Sequence, residues 1–178
     1  LGAQCYDAEL IQKLAAESGF DENYIKEAGE YTPGGFLASA FTDRSFGPTN
    51  EDLLWKLQYR IIRELAEKEP CVIVGRCADY ALADYPNTVS VFITGNDENK
   101  LNSIKSLYHV DDAKAKDIMV KTDKKRSSYY NYYSSKKWGD SRSYDMCINS
   151  SVLGPEGTAD MIIAFAKAVE AQNQKKTE

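Results

Sequence analysis

Apolar residues recur every three or four positions in several stretches, and each such stretch predicts an amphipathic helix. Leu10, Ile11 and Leu14 share one side of a run from Ala8 to about Ser18, which Asp7 is placed to cap and Gly19 to end. A short helix is expected from Glu22 to Ala28. Leu54, Leu57, Ile61 and Leu65 mark a longer helix from Glu51 to about Lys68, closed by Pro70. From Asp97 to Tyr133 the pattern is helical, with a break around His109 to Asp111. Met161, Ile162, Phe165 and Val169 mark a last helix from Glu156 to about Ala171, ahead of a polar tail over 172–178. The stretch over 31–50 carries Pro33, Gly34, Gly35, Gly47 and Pro48 and predicts a mobile loop.

Three apolar runs are too short for helices and rich in β-branched residues: Cys71 to Val74, Val89 to Ile93, and Met146 to Ile148. The first is continuously apolar, as expected of a parallel strand covered on both faces. Between the first two, Ala78 to Asp84 leaves room for about two helical turns before Pro86. Alternating strands and helices predict an α/β fold, a three-layer arrangement with a parallel sheet flanked by helices. Ligands of such sheets bind at the carboxyl ends of the strands. Here those ends are Gly75-Arg76, Thr94-Gly95 and Asn149-Ser150-Ser151. Arg76 stands out, because an arginine released from a buried strand at a glycine turn can present its planar fork to a phosphate or carboxylate. It can equally tie a loop to a neighbouring carboxylate.

Charge sharpens this picture. The 178 residues carry a net −5, yet Lys121 to Arg142 holds Lys121, Lys124, Lys125, Arg126, Lys136, Lys137 and Arg142 against Asp123 and Asp140. That segment is +5 and the remainder −10, so the basic stretch either meets an anion or is a solvated helix face, and the acidic remainder disfavours a long polyanion. The same stretch contains Tyr129-Tyr130-Asn131-Tyr132-Tyr133 and then Trp138. Aromatics among cations can stack on bases of single-stranded nucleic acid. They can also pack a helix onto its domain, and the spacing favours packing for at least two of the four tyrosines.

The four cysteines form no CxxC pair and His109 is the only histidine, so a structural zinc site is not expected. Cys71 and Cys147 sit in apolar runs and read as buried thiols, which suits a reducing cytoplasm. No apolar run is long enough to span a membrane. The sequence contains neither a GxxxxGK[ST] phosphate loop nor a GxGxxG fingerprint.

The ordered motifs resemble the cytidylate kinase-like family. They are Val72-Ile73-Val74-Gly75-Arg76, Tyr85-Pro86-Asn87, Val89 to Thr94, the basic run Lys121 to Arg126, the tyrosine cluster, Lys136-Lys137-Trp138-Gly139-Asp140, and Tyr144-Asp145 through Asn149. The resemblance implies a P-loop nucleoside monophosphate kinase fold with a helical lid. Residues 1–171 would form a single kinase-like domain, with 31–50 as the monophosphate-side loop and 121–142 as the basic lid. The family's first strand, phosphate loop and following helix are expected upstream of Tyr6, in about 25 to 30 further residues.

By the same resemblance the chain is expected to transfer the γ-phosphoryl group of ATP, with Mg²⁺, to a pyrimidine monophosphate such as CMP or dCMP. Arg126 would contact the transferred group with Lys124 in support, both in the lid with Asp123. Arg76 would hold the acceptor nucleotide, with polar contacts from Asp79 and Asp7, and Lys136 and Lys137 would either meet phosphates on closure or stay solvated. No metal ligand is identified. Related kinases follow Gly-Arg with Asp, whereas this chain has Cys77 and regains an acid only at Asp79. Expected partners are small-molecule nucleotides. The alternatives are a non-catalytic nucleotide sensor on the same fold and, ranked last, a binder of single-stranded RNA.

Overall fold

The computed structural model describes residues 2–17, 19 and 50–177. The helix expected over 22–28 and, Asn50 apart, the loop over 31–50 lie outside the described residues. The elements are β1 (Gln4–Tyr6), α1 (Ala8–Glu17), α2 (Asn50–Lys68), β2 (Cys71–Ile73), α3 (Ala78–Ala81), β3 (Val91–Thr94), α4 (Asp97–Tyr108), α5 (Asp112–Ser134), a 3-10 turn (Ser141–Ser143), β4 (Met146–Asn149) and α6 (Ser150–Thr177). They divide into two compact units. The N-terminal unit takes the described residues from Gly2 to Leu82 together with Ser128–Lys136. The C-terminal unit takes Ala83–Ser127 and the described residues from Lys137 onward.

In the N-terminal unit β1 and β2 run parallel, with Gln4 opposite Cys71, Cys5 opposite Val72 and Tyr6 opposite Ile73. The Val74 amide donates to the Tyr6 carbonyl (2.8 Å), extending the pairing by one rung. Asp7 caps α1, accepting from the Leu10 amide at 2.9 Å. The core is built where α1 meets α2: Ala15, Leu54 and Leu57 are buried, with Ala16 and Ile61 packed against them. The buried side of α2 is turned from the expected stripe, for Ile62 and the polar Gln58 are enclosed alongside Leu54 and Leu57.

In the C-terminal unit β3 and β4 are parallel, from Val91 opposite Met146 to Thr94 opposite Asn149. A reciprocal clamp sets this register. Asp145 Oδ2 accepts from both the amide (2.8 Å) and the hydroxyl (2.7 Å) of Ser90. The Ser90 hydroxyl in turn accepts from the Asp145 amide (3.0 Å). Phe92 of β3 packs edge-on against Trp138 (5.2 Å) and tilted against Tyr144 (5.0 Å). α4 ends at His109 in the left-handed region (φ 53°), and Asp111 caps α5 by accepting from the Lys114 amide (2.8 Å). α6 is interrupted at Gly154 (φ 69°, ψ 176°), after which Pro155 opens the longer segment. That segment runs to Thr177 rather than ending near Ala171.

The three-layer sheet architecture expected above is not what forms. Helices make up 67% of the described residues, and the strands pair only two by two, each pair a sheet of its own. An apolar β-branched run specifies a strand, but not how many neighbours it acquires or whether both its faces are covered. Here Val72 is 44% exposed and Ile93 55%, so continuous apolarity does not mark a strand covered on both faces. The cysteines show the same limit. All four are free, and Cys147 is exposed although its neighbours in sequence are apolar.

Candidate functional site

The N-terminal unit holds Arg76, Asp79, Lys136 and Asp7. After β2 the backbone enters the left-handed region at three residues in succession, Gly75 (φ 77°), Arg76 (φ 57°) and Cys77 (φ 54°). Only the first is glycine, so the turn carries strain of about 1–2 kcal/mol at each of the other two. Bonds from the Ala78 amide to the Gly75 carbonyl (3.1 Å) and from the Ala81 amide to the Cys77 carbonyl (2.9 Å) hold it in place. The turn swings Arg76 inward. The residue is only 9% exposed, and its buried Nη1 has no hydrogen-bond partner among the described residues. Burial pushes the neighbouring Cys77 thiol up to about 12, with the Asp79 charge adding to the rise and Arg76 opposing it. That thiol is neutral near pH 7.

Asp79 lies in the first turn of α3. Its Oδ2 accepts from the Tyr130 hydroxyl at 2.7 Å and pairs with Lys136 Nζ at 3.6 Å. The structure thus brings two of the expected site residues, Asp79 and Lys136, together directly, with Tyr130 bonded to the same carboxylate oxygen. Tyr130 and Tyr129 are both buried, and Tyr129 donates to Gln58 Oε1 (3.2 Å). Tyr133 stacks on Trp55 with planes 5° apart and centroids 5.0 Å apart. Burial, followed by the charges of Asp52, Tyr132 and Glu51, holds its hydroxyl well above the usual phenol range. Packing accordingly occupies Tyr129, Tyr130 and Tyr133, while Tyr132 is half exposed. Spacing carried part of this signal, since Tyr129 and Tyr133 are one helical turn apart. The partners Asp79 and Gln58 carried none. Asp7 is engaged as the cap of α1.

The basic segment lies in the C-terminal unit through Ser127. Asp123 is held by Lys100 of α4 (3.0 Å). Lys124 and Arg126 are exposed, and neither cationic head group has a partner among the described residues. Both sit inside α5, where residues two apart point to opposite sides of the helix. They therefore present two separate faces rather than one paired clamp. Lys137 is exposed, and its carbonyl accepts from the Asp140 amide (3.1 Å). Arg142 binds Asp140 through two prongs, Nε to Oδ1 (3.0 Å) and Nη2 to Oδ2 (2.6 Å). Those bonds hold the Asp140 carboxyl well below the usual carboxylate range. Gly139 (φ 76°) passes over Phe92, whose Cζ would lie 3.3 Å from an added Cβ.

At the carboxyl ends of β3 and β4 a polar network forms. Asn149 Nδ2 donates to Asn96 Oδ1 (2.8 Å), the Asn96 amide to Ser151 Oγ (2.9 Å), and Ser150 Oγ to the Thr94 carbonyl (3.0 Å). Among the described residues no three His, Cys, Asp or Glu side chains converge so as to hold a metal ion.

The sequence model of the cytidylate kinase-like family matches residues 1–152. The chain belongs to that family. Its kinship carries a kinase-like function in general terms, and with it the handling of nucleotides. The crystal structure of an uncharacterized protein from Eubacterium ventriosum ATCC 27560 is similar, at 31% identity and a TM-score of 0.70. The similarity covers 93% of this chain and 83% of that one. No curated protein matches. Within this cytidylate kinase-like chain, no helix among the described residues is long and apolar enough to cross a membrane.

Proposed function

We propose that the protein is a nucleoside monophosphate kinase that transfers the γ-phosphoryl group of ATP to a pyrimidine monophosphate such as CMP or dCMP. The observation that carries this reading is Arg76, a buried arginine at the end of a parallel strand with a donor left unpartnered. A buried cationic donor without an acceptor is costly unless a ligand completes it. An acceptor phosphate supplies the charge and a pair of oxygens that can take two parallel N–H bonds from the guanidinium.

In the reaction an oxygen of the acceptor phosphate bonds to the γ-phosphorus as the bond to the β-phosphate oxygen breaks, and ADP leaves with that electron pair. Such transfer asks little covalent chemistry of the protein, only alignment and compensation of the charge spread over the migrating group. Arg76 holds the acceptor. In the C-terminal unit the exposed Arg126 is assigned to the charge of the migrating group. Magnesium, when bound with ATP, supplies further charge neutralisation on its phosphates. The described residues offer no ligand set for it, so the metal is assigned no ligands and no role in the steps above.

A coupled assay with ATP, magnesium and each monophosphate tests the proposal. Arg126→Ala should lower kcat by about 10³-fold or more, with the melting temperature unchanged because the side chain is exposed. Absence of turnover with every monophosphate, or an unaltered kcat in that variant, overturns it. One observation favours a second reading, nucleotide binding without transfer: the neutral, buried Cys77 stands where related kinases place a carboxylate. Calorimetric binding of CMP with no product over hours would select it.

A further inference from the structure

We propose that Tyr130 is a positioning residue, which through Asp79 stations Lys136 beside the Arg76 turn so that the two cations receive the acceptor's phosphate together. The inference rests on the assignment of Arg76 to the acceptor.

Tyr130 lies inside a basic, aromatic segment, yet it is enclosed and spends its hydroxyl on Asp79 Oδ2 at 2.7 Å. Lys136 approaches the same oxygen only to 3.6 Å, near enough for charge attraction but beyond a good hydrogen bond. The ammonium is therefore located by Asp79 while its three N–H donors stay available to a second anion. The backbone supports the placement. Ser134 Oγ donates to the Tyr130 carbonyl (2.5 Å) and accepts from the Lys136 amide (3.1 Å). Ser135 between them is left-handed (φ 55°), which folds the chain back at the end of α5.

On the other side, Asp79 follows Arg76 by three residues within one short turn, closed by bonds from the Ala78 amide to the Gly75 carbonyl (3.1 Å) and from the Ala81 amide to the Cys77 carbonyl (2.9 Å). Arg76, Asp79 and Lys136 thus share one neighbourhood within the N-terminal unit. Asp79 is not spent on the nucleotide. It orients a lysine that would otherwise sample many rotamers, and holding such a side chain in advance strengthens binding by about three- to tenfold.

The test measures binding of CMP, and separately of inorganic phosphate, by calorimetry with the full chain. The variants are Tyr130→Phe, Lys136→Met, the double variant and Asp79→Asn, and turnover is recorded alongside. Tyr130→Phe should weaken both ligands about three- to tenfold, raise KM for CMP and leave kcat unchanged. Lys136→Met should weaken both ligands and raise KM for CMP by at least as much, and adding Tyr130→Phe to it should cost nothing more. Asp79→Asn, nearly identical in shape, should match Tyr130→Phe and guards against a mere folding defect.

Additive losses in the double variant overturn the inference, since Tyr130 would then not act through Lys136. So does tighter binding by Asp79→Asn, which would make Asp79 a competitor for the lysine. A loss confined to CMP, with inorganic phosphate unaffected, overturns it as well. If phosphate binding shows the coupling but no monophosphate is turned over, the inference stands and the kinase reading fails. If the unaltered protein binds neither ligand, both fail.

Discussion

Replacing Arg76 by Met should push stability and affinity in opposite directions. In the free protein Arg76 is nine-tenths enclosed and its buried Nη1 lacks an acceptor among the described residues. Leaving such a donor unmade costs about 1–3 kcal/mol. Met keeps most of the apolar stem and removes the donor, while the backbone strain at φ 57° is common to both residues. A net gain of about 1–2 kcal/mol raises the melting temperature by roughly 2–8 °C for a chain of this size.

In the complex the same guanidinium would make charge-assisted bonds worth about 1.5–3 kcal/mol each. Losing a two-pronged contact therefore weakens CMP binding by about 10²- to 10⁴-fold. Scanning calorimetry with and without CMP reads both effects at once. At CMP a hundredfold above its Kd the unaltered protein gains about 2.7 kcal/mol and overtakes the variant, which gains almost nothing. A variant that melts several degrees lower without ligand, or binds CMP within tenfold of the original, refutes the reasoning. Arg76 would then be a structural tie.

Gly139→Ala should cost about 1–2 kcal/mol, because the residue is left-handed and its new methyl would press on Phe92, and a lower urea midpoint with an unchanged slope would show it. Asp145→Ala removes the acceptor for both Ser90 bonds and should cost about 1–2 kcal/mol, with Asp145→Asn losing less by the same titration. Alkaline pH should destabilise the fold. The folded protein keeps the Cys77 proton up to about 12, whereas an unfolded thiol releases it near pH 8.5. Stability should therefore be level below about pH 8.5 and fall as pH rises toward 12. The raised Tyr133 hydroxyl contributes in the same direction at the upper end. Urea titrations from pH 8 to 11 check this, and Cys77→Ala should flatten part of the slope; stability rising over that window would contradict it.

What was legible in the chain is mostly what its neighbours in sequence decide. Asp7 as a cap, Gly19 after α1, the break at His109 and the turn at Gly75-Arg76 all depend on a few adjacent residues, and all appear. Strand pairing does not, since an apolar run states its own propensity and not its partner. The four short strands could therefore be expected as runs, β1 excepted, but not as two separate pairs. Burial of Gln58 was hidden because a polar residue interrupts the apolar stripe, and its enclosure depends on Tyr129, 71 positions on. The bond from Tyr130 to Asp79 spans 51 positions and joins two residues whose types suggested other roles. The opposed faces of Lys124 and Arg126 follow from helical geometry once that segment is known to be a regular helix.

Both parallel pairs are closed by contacts between distant parts of the chain: Tyr6 reaches Glu69, 63 positions away, and Ser90 reaches Asp145, 55 positions away. Large loops must be closed, at an entropic cost, before either ladder returns any stabilisation. Refolding of this mostly helical protein should therefore take milliseconds or longer, a tempo more usual for sheet proteins than for simple bundles. Helical signal in a stopped-flow trace should accordingly recover well ahead of the fluorescence of Trp138, which settles only once Phe92 is in its strand.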